Sequence, residues 1–484
     1  MKRTLGPWAL TAMGIGAIIG TGIFVLTGVA SATRAGPSLT ISFVVAGTVS
    51  ALAALCYAEV SSKIPISGSA YTYTYATLGE FFAWIIGWAL VLEYALGAAT
   101  VSIGWSGYFV NIWNQLTPWP IPAMFANGPH WGLAGQAGVS GIANLPAAGI
   151  ILLIMLLLAK GTRESGTVNA FIVAIKVAIV IFFIIVGVGH VSAANYHLPA
   201  GGPAGLGGYF PFGINGMLGA AAFIFFAYIG FDAVSTAAEE AKNPGRDLPF
   251  GIIMSLAVCT ILYIIVAAIL DGMVPFFKLN VAFPVAFAMN YVGLPWAGLV
   301  ISFGAIAGLT TVLLVMMFGQ IRVWFAMARD GLIPPGFARI HPRFRTPITS
   351  TIFFGICIAI VAAITPINIV GSLTNMGTLS AFTLVSIAVW FLRVKHPELK
   401  GSFQLPLGKI GGIFIPLFSA VSALGLIYYL RVGNPLVHGF PIVWFWFIVW
   451  LTLGLIFYFS YGAWKSNLVT GGRPPKDRLP DIGV

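Results

Sequence analysis

Apolar runs long enough to cross a bilayer recur from one end of this chain to the other. A spanning helix takes about 20 consecutive apolar residues. Lipid accepts only segments that satisfy their own backbone hydrogen bonds. Charged residues are 8% of the 484, against about 25% in soluble proteins, too few to cover a soluble surface. The expected fold class is therefore all-α and polytopic in the membrane. Twelve transmembrane helices are predicted, at about 8–33, 38–62, 81–113, 145–159, 166–190, 214–240, 248–271, 295–326, 347–365, 371–394, 412–431 and 440–463. No cleavable signal peptide is expected, because the first apolar run exceeds a signal core and leads straight into a second span.

A net charge of +11 raises the question of a nucleic-acid partner. The distribution of the charge points to membrane topology instead. With the N-terminus inside, only Arg34, Lys278 and Arg431 fall on the outer side, and Lys176 and Arg322 fall within spans. The remaining basic residues lie inside, among them Lys2, Arg3, Lys160, Arg163, Arg329, Arg339, Arg343, Arg345, Arg393 and Lys395. This bias predicts a cell-membrane protein with both termini cytoplasmic. Cys56, Cys259 and Cys357 sit in predicted spans without paired spacing, as packing residues. The six histidines lie in loops or near helix ends, so neither zinc nor haem finds a ligand set, and no cofactor is expected. Two long connections, 114–144 and 190–213, are read as caps with short interfacial segments. The polar, aromatic stretch 61–80 is read as an amphipathic helix at the inner interface, either a plain anchor or a gating element.

The first span contains GIGAIIGTGIF, with glycines at 14, 16, 20 and 22. Each glycine weakens a helix by about 1 kcal/mol relative to alanine. One explanation is close helix packing, since Gly16 and Gly20 have small-xxx-small spacing. The sixth span supplies another, because FFAYIGFD carries Gly230 and Asp232 at mid-span. Both spans open a group of five. Five crossings are odd, so a second copy must enter from the opposite side. The result is an inverted repeat of residues 1–190 and 191–396, with helices 11 and 12 and a cytoplasmic tail in 397–484. Interrupted helices in matching positions of two halves mark a transporter's binding site. A half-helix N-terminus offers N–H groups to a carboxylate, and freed carbonyls suit an ammonium group. Two such breaks together suit the zwitterion of an α-amino acid.

Ionisable residues at bilayer depth are candidates for function. Lys176 lies about ten residues into its span, roughly 15 Å along the helix and so at mid-membrane. It is a candidate to exchange a proton, to stand in for a structural cation, or to form a fixed ion pair. Glu93 matches it in depth with opposite sign, and either pairs with it or belongs to a polar core. Asp232 follows the sixth-span break, where an acidic group caps free N–H groups or meets substrate or a proton. Arg322 is expected to snorkel or pair at its helix end. Glu239, Glu240, Lys242, Arg246 and Asp247 mark a solvated helix end, with an inner gate involving Arg329 and Asp330 as the sharper reading.

GIGAIIGTGIF, CYAEVSSKIPISGSAYTYTYATLGE and FFAYIGFDAVSTAAEEAKNPGRDLP, in that order, resemble the amino acid–polyamine–organocation (APC) superfamily, and within it the bacterial relatives of the cationic amino acid transporters. The resemblance covers about residues 5–463. It implies a LeuT-type fold of two inverted five-helix repeats, alternating access and no enzymatic activity. It also implies that a substrate carboxylate meets main-chain N–H groups at Thr21 and Gly22 beside Gly20. The amine then meets carbonyls of Ile18, Phe226, Ala227 and Ile229, and Lys176 takes the place of sodium in proton coupling. Met316 is expected to narrow the side-chain pocket toward small or apolar amino acids such as alanine, unless it is plain packing. Glu93 keeps an Arg/Lys transporter or exchanger as the alternative. The expected partners are an L-amino acid, protons and the lipid bilayer. A channel is disfavoured because no filter motif or ring of like charges is present. An enzyme is disfavoured because HExxH, paired catalytic carboxylates and a P-loop are missing.

Overall fold

The computed structural model describes residues 5–63, 70–129, 140–161, 166–198, 207–237, 240–395, 401–406, 408–437, 439–467 and 469. Lys2, Arg3, Arg163 and Glu239, singled out from the sequence, lie outside them. Among the described residues nine helices are long and apolar enough to cross a membrane, and three shorter apolar helices accompany them: Pro7–Ile18, Leu145–Lys160 and Ile348–Ile364. The protein is a multi-pass helical membrane protein.

The first span is α1 (Pro7–Ile18), which ends at Ile19 in an extended conformation. Helical structure resumes at Thr21 and runs as mixed π- and α-turns through residues 22–35. Gly36, at φ +58°, then ends that segment with a backbone that L-residues rarely adopt. The helices that follow are α2 (Leu39–Lys63), α3 (Ala70–Leu78), α4 (Glu80–Leu116), α5 (Leu145–Lys160), α6 (Gly166–Val188) and α7 (Gly213–Ile224). After them come α8 (Pro244–Met273), α9 (Pro284–Tyr291), α10 (Pro295–Arg329), α11 (Ile348–Ile364), α12 (Ile367–Lys395), α13 (Gly408–Tyr429) and α14 (Ile442–Phe457). Proline occupies the first turn of α1, α5, α8, α9 and α10, where its missing N–H costs nothing. Asn144 caps α5, its side chain accepting from the Ala147 N–H at 3.1 Å.

The span expected over 214–240 is interrupted where Gly230 and Asp232 marked it. The helix tightens to a 3-10 turn over Phe225–Tyr228, opens at Ile229 and Gly230, and continues as a 3-10 stretch over Phe231–Ala237. Gly230 is at φ +117°, which no β-branched or aromatic neighbour could adopt without strain.

The packing surrounds these two interrupted elements. Helix α4 lies along α10 and α12, and α8 packs on α1 and α2. Arg34, counted from sequence on the outer side, is buried. Its guanidinium lies 4.1 Å from the Phe223 ring centroid and donates to Asn434 Oδ1 at 3.3 Å. At the other end of α2, the buried carboxylate of Glu59 joins three parts of the fold. It accepts both forks of Arg393 from α12, the Lys63 ammonium at 2.7 Å and the Leu405 N–H at 2.9 Å. Removing one partner of a buried ion pair strands the others and costs about 3–5 kcal/mol. Glu59→Ala is therefore expected to lower the thermal unfolding midpoint of purified protein sharply. An unchanged midpoint would show that the clamp carries no load.

Candidate functional site

The two interruptions touch. A Cβ added at Gly22 would overlap the Cα and Cβ of Ala227, and one added at Gly230 would lie 2.8 Å from the Ala17 carbonyl oxygen. Each break therefore contains a glycine that lets the other backbone in. Gly20 faces α10, where an added Cβ would lie 3.2 Å from Val312. Gly14 and Gly16, by contrast, are filled by neighbouring side chains, Ser255 of α8 and Val173 of α6. The same motif thus divides into packing glycines and break glycines.

Around the breaks the main chain is held by side-chain donors. Lys176 is buried in α6, and its Nζ donates to the Gly16 carbonyl at 2.7 Å. That carbonyl belongs to the last turn of α1, where four carbonyls lack helical partners and the helix dipole is negative. The lysine stem runs along Gly308 of α10, with 3.1 Å from its Cγ to where a Cβ would stand. Among the described residues no ion pair joins Lys176 to Glu93. The Tyr263 hydroxyl donates to Ile18 O at 2.9 Å. Asn375 Nδ2 donates to Ala222 O and Phe223 O at 2.9 and 2.6 Å, tying α12 to the turn that precedes the second break. The Tyr108 hydroxyl donates to Phe24 O at 2.7 Å.

The N–H groups that open the 22–35 segment have no earlier turn to bond to; Phe24 N–H is the first to reach back, to Gly20 O at 3.3 Å. Thr21, Gly22 and Phe226 to Ile229 are all buried. The Ile229 N–H is turned back onto Phe226 O at 3.2 Å. Asp232 stands at the first turn after the second break, its carboxyl beside the N–H groups of Gly230 and Ala233.

Helix α4 forms one wall. Glu93, Gly97, Thr100 and Gly104 are spaced four, three and four residues apart, so they line one face. Gly104 receives Thr21, whose Cγ2 would be 2.9 Å from an added Cβ, and Gly97 faces the Met316 sulfur at 3.4 Å. Met316 is one turn beyond Val312 on α10, on the face that meets Gly20. Glu93 is buried within electrostatic reach of Asp232, and neither of its carboxyl oxygens has a hydrogen-bond partner among the described residues. Arg322 is exposed, its guanidinium 4.2 Å from the Phe318 ring centroid.

On one side of the breaks a cavity of about 350 Å³ is lined by Val25, Val29, Ile103, Phe283 and Asn368. Val25 and Val29 continue the face of Thr21 at four-residue steps, so the cavity begins one turn from the break. The opposite side is tied shut. Leu5 N–H donates to Glu240 O at 3.0 Å, Lys242 N–H donates to Leu5 O at 2.8 Å, and the Tyr71 hydroxyl of α3 donates to Asp330 at 2.8 Å. Sequence reasoning did not single out Tyr263, Asn375, Tyr108 or Tyr71. Tyr71 lies in the polar, aromatic stretch 61–80 already read as an anchor or gating element; the signal for Tyr108, Tyr263 and Asn375 is a hydrogen-bonding side chain within a span.

A family model described as amino acid permease matches residues 5–457. The chain is 47% identical to a methylthioribose transporter of Bacillus subtilis (strain 168) over 97% of its own length and 95% of the relative's. It is 46% identical to the branched-chain amino acid permease BcaP of the same organism, again over 97% and 95%. Cationic amino acid transporter 4, vacuolar, of Arabidopsis thaliana is 39% identical over 82% of this chain and 64% of the relative.

The donors that hold the breaks can be weighed. A buried carbonyl that loses its donor costs about 1–3 kcal/mol. Tyr263→Phe frees one carbonyl and Asn375→Leu frees two, so the second variant should unfold at the lower temperature. Equal midpoints for both variants and the parent would contradict this order.

Proposed function

The chain belongs to the amino acid permease family of the APC superfamily, a family of transporters rather than enzymes, and we propose that it is a secondary active transporter of L-amino acids that couples uptake to protons by alternating access. The observation that carries the reading is the contact between the two interrupted helices, Gly22 on Ala227 and Gly230 on Ala17. It sets N–H groups and carbonyls of two segments of the chain side by side within a buried region. The proposed architecture is twelve helices in a five-plus-five inverted repeat (1–190 and 191–396), followed by helices 11 and 12, with both termini cytoplasmic in the cell membrane.

In this mechanism the substrate carboxylate meets the N–H groups of Thr21 and Gly22 beside Gly20, and its ammonium meets carbonyls among Ile18, Phe226, Ala227 and Ile229. The side chain points to the wall formed by α4 and α10. There Met316 against Gly97 favours small or apolar side chains such as that of alanine. The branched-chain permease among the relatives supports an apolar substrate. A second reading, a cationic amino acid substrate, is favoured by the unpartnered carboxyl of Glu93 one turn further along the same face and by the cationic amino acid transporters among the relatives. Lys176 supplies the coupling. Its ammonium on Gly16 O stabilises the break when protonated, and proton loss leaves a weaker, neutral donor on that carbonyl and loosens the end of α1. The arrangement of a cavity on one side and tied backbone on the other supports access from one face at a time.

A thermal-shift screen of the twenty amino acids on purified protein tests the substrate class, since a ligand of the native state raises its apparent stability. Alanine is expected to stabilise; no shift from any amino acid would remove the reading. In proteoliposomes, alanine uptake should rise with an inward proton gradient and ignore sodium. Lys176→Ala should lose proton-driven accumulation, and full accumulation in that variant would exclude the lysine from coupling. Met316→Ser should extend the accepted side chains toward longer ones, whereas an unchanged range would place Met316 outside the pocket.

A further inference from the structure

Residues 335–346, between α10 and α11, play no part in that mechanism, yet they are closely held. Residues 335–338 form a 3-10 turn whose Phe337 packs on Trp324 and Phe353, with ring centroids 5.7 and 5.6 Å apart. Beyond it a tight turn closes on itself. His341 N–H donates to Thr346 O at 2.9 Å, and Arg345 N–H donates to His341 O at 2.8 Å. His341 Nδ1 also accepts from the Arg343 and Phe344 N–H groups at 3.3 and 3.4 Å. Arg345 has φ +56°, the only positive φ at a non-glycine position among the described residues. The Thr346 hydroxyl donates to Ala159 O at 2.7 Å, which fixes the turn to the end of α5 beside Lys160.

The result is a fixed display of like charge. Lys160, Arg339, Arg343 and Arg345 are all exposed, and among the described residues none forms an ion pair. Between the arginines stand two exposed apolar side chains, Ile340 at 56% and Phe344 at 37%. The patch lies where one apolar helix ends, at Lys160, and another begins, at Ile348, so it is at the edge of the hydrocarbon layer. Basic groups at that depth meet phosphates, and exposed apolar side chains among them meet acyl chains. A site for a soluble polyanion has no use for Ile340 and Phe344.

We propose that residues 339–346, with Lys160, form a binding site for the phosphate headgroup of anionic phospholipid, with Ile340 and Phe344 entering the layer beside it. The site is separate from the helix breaks and from substrate recognition.

The test uses full-length protein and compares retention of phosphatidylglycerol with that of phosphatidylcholine by native mass spectrometry. Arg343→Gln, Arg345→Gln and the double variant are measured beside the parent. Each arginine removed should lower the preference for the anionic lipid about fivefold, the equivalent of about 1 kcal/mol for each basic group at a charged surface. Arg343→Lys with Arg345→Lys keeps the charge and should keep most of the preference, which separates lost charge from lost folding. A thermal-shift series with inorganic phosphate distinguishes the source of the phosphate. Little stabilisation by the free ion supports a lipid site, and stabilisation by free phosphate equal to that by phosphatidylglycerol vesicles overturns it. Equal lipid preference in parent and double variant overturns it as well.

Discussion

A carbonyl freed inside a bilayer must find a donor within the protein, because no water is there to supply one. The centre of this structure is organised by that requirement. The end of α1 gives its Gly16 and Ile18 carbonyls to Lys176 and Tyr263. The turn before the second break gives the Ala222 and Phe223 carbonyls to Asn375. These donors come from α6, α8 and α12, so satisfying two short interruptions fixes where three further helices stand. The helices around the breaks are positioned by backbone chemistry as much as by apolar packing.

Much of this was legible in the sequence. The apolar runs gave the class, and the glycines of the first span and of FFAYIGFD marked both breaks within a residue or two. Lys176 was visible as a charge at a depth where charge is costly. Its partner was not, because a main-chain carbonyl has no signature in a sequence, and Glu93 was the more obvious candidate. Tyr263 and Asn375 were missed for a related reason. A tyrosine or asparagine in a span is recognisable, but the carbonyl it serves is chosen by packing between segments far apart in the chain. The burial of Arg34 was not legible, since only the fold shows Phe223 and Asn434 covering it.

The two ends of the structure are finished differently. On one side the cavity beyond Val25 and Val29 leads toward the breaks. On the other, the start of α1 pairs with residues 240–242, and Tyr71 reaches Asp330. The Glu59 clamp lies near that second end and joins α2, α12 and the segment at Leu405. Few side chains hold the closed face, and they are polar groups whose bonds can be exchanged for water.

The interlocking of the two breaks has one more consequence. Gly22 rests on Ala227 while Gly230 rests on Ala17, so each strand passes close to the other at two points. Two contacts remove the freedom to pivot that one contact would leave. The crossing is therefore built to act as a single part, with the spacing of its donor and acceptor ends set by those two contacts. In the proposed mechanism a ligand gripped there would be carried at constant geometry, its variable portion judged by the walls of α4 and α10.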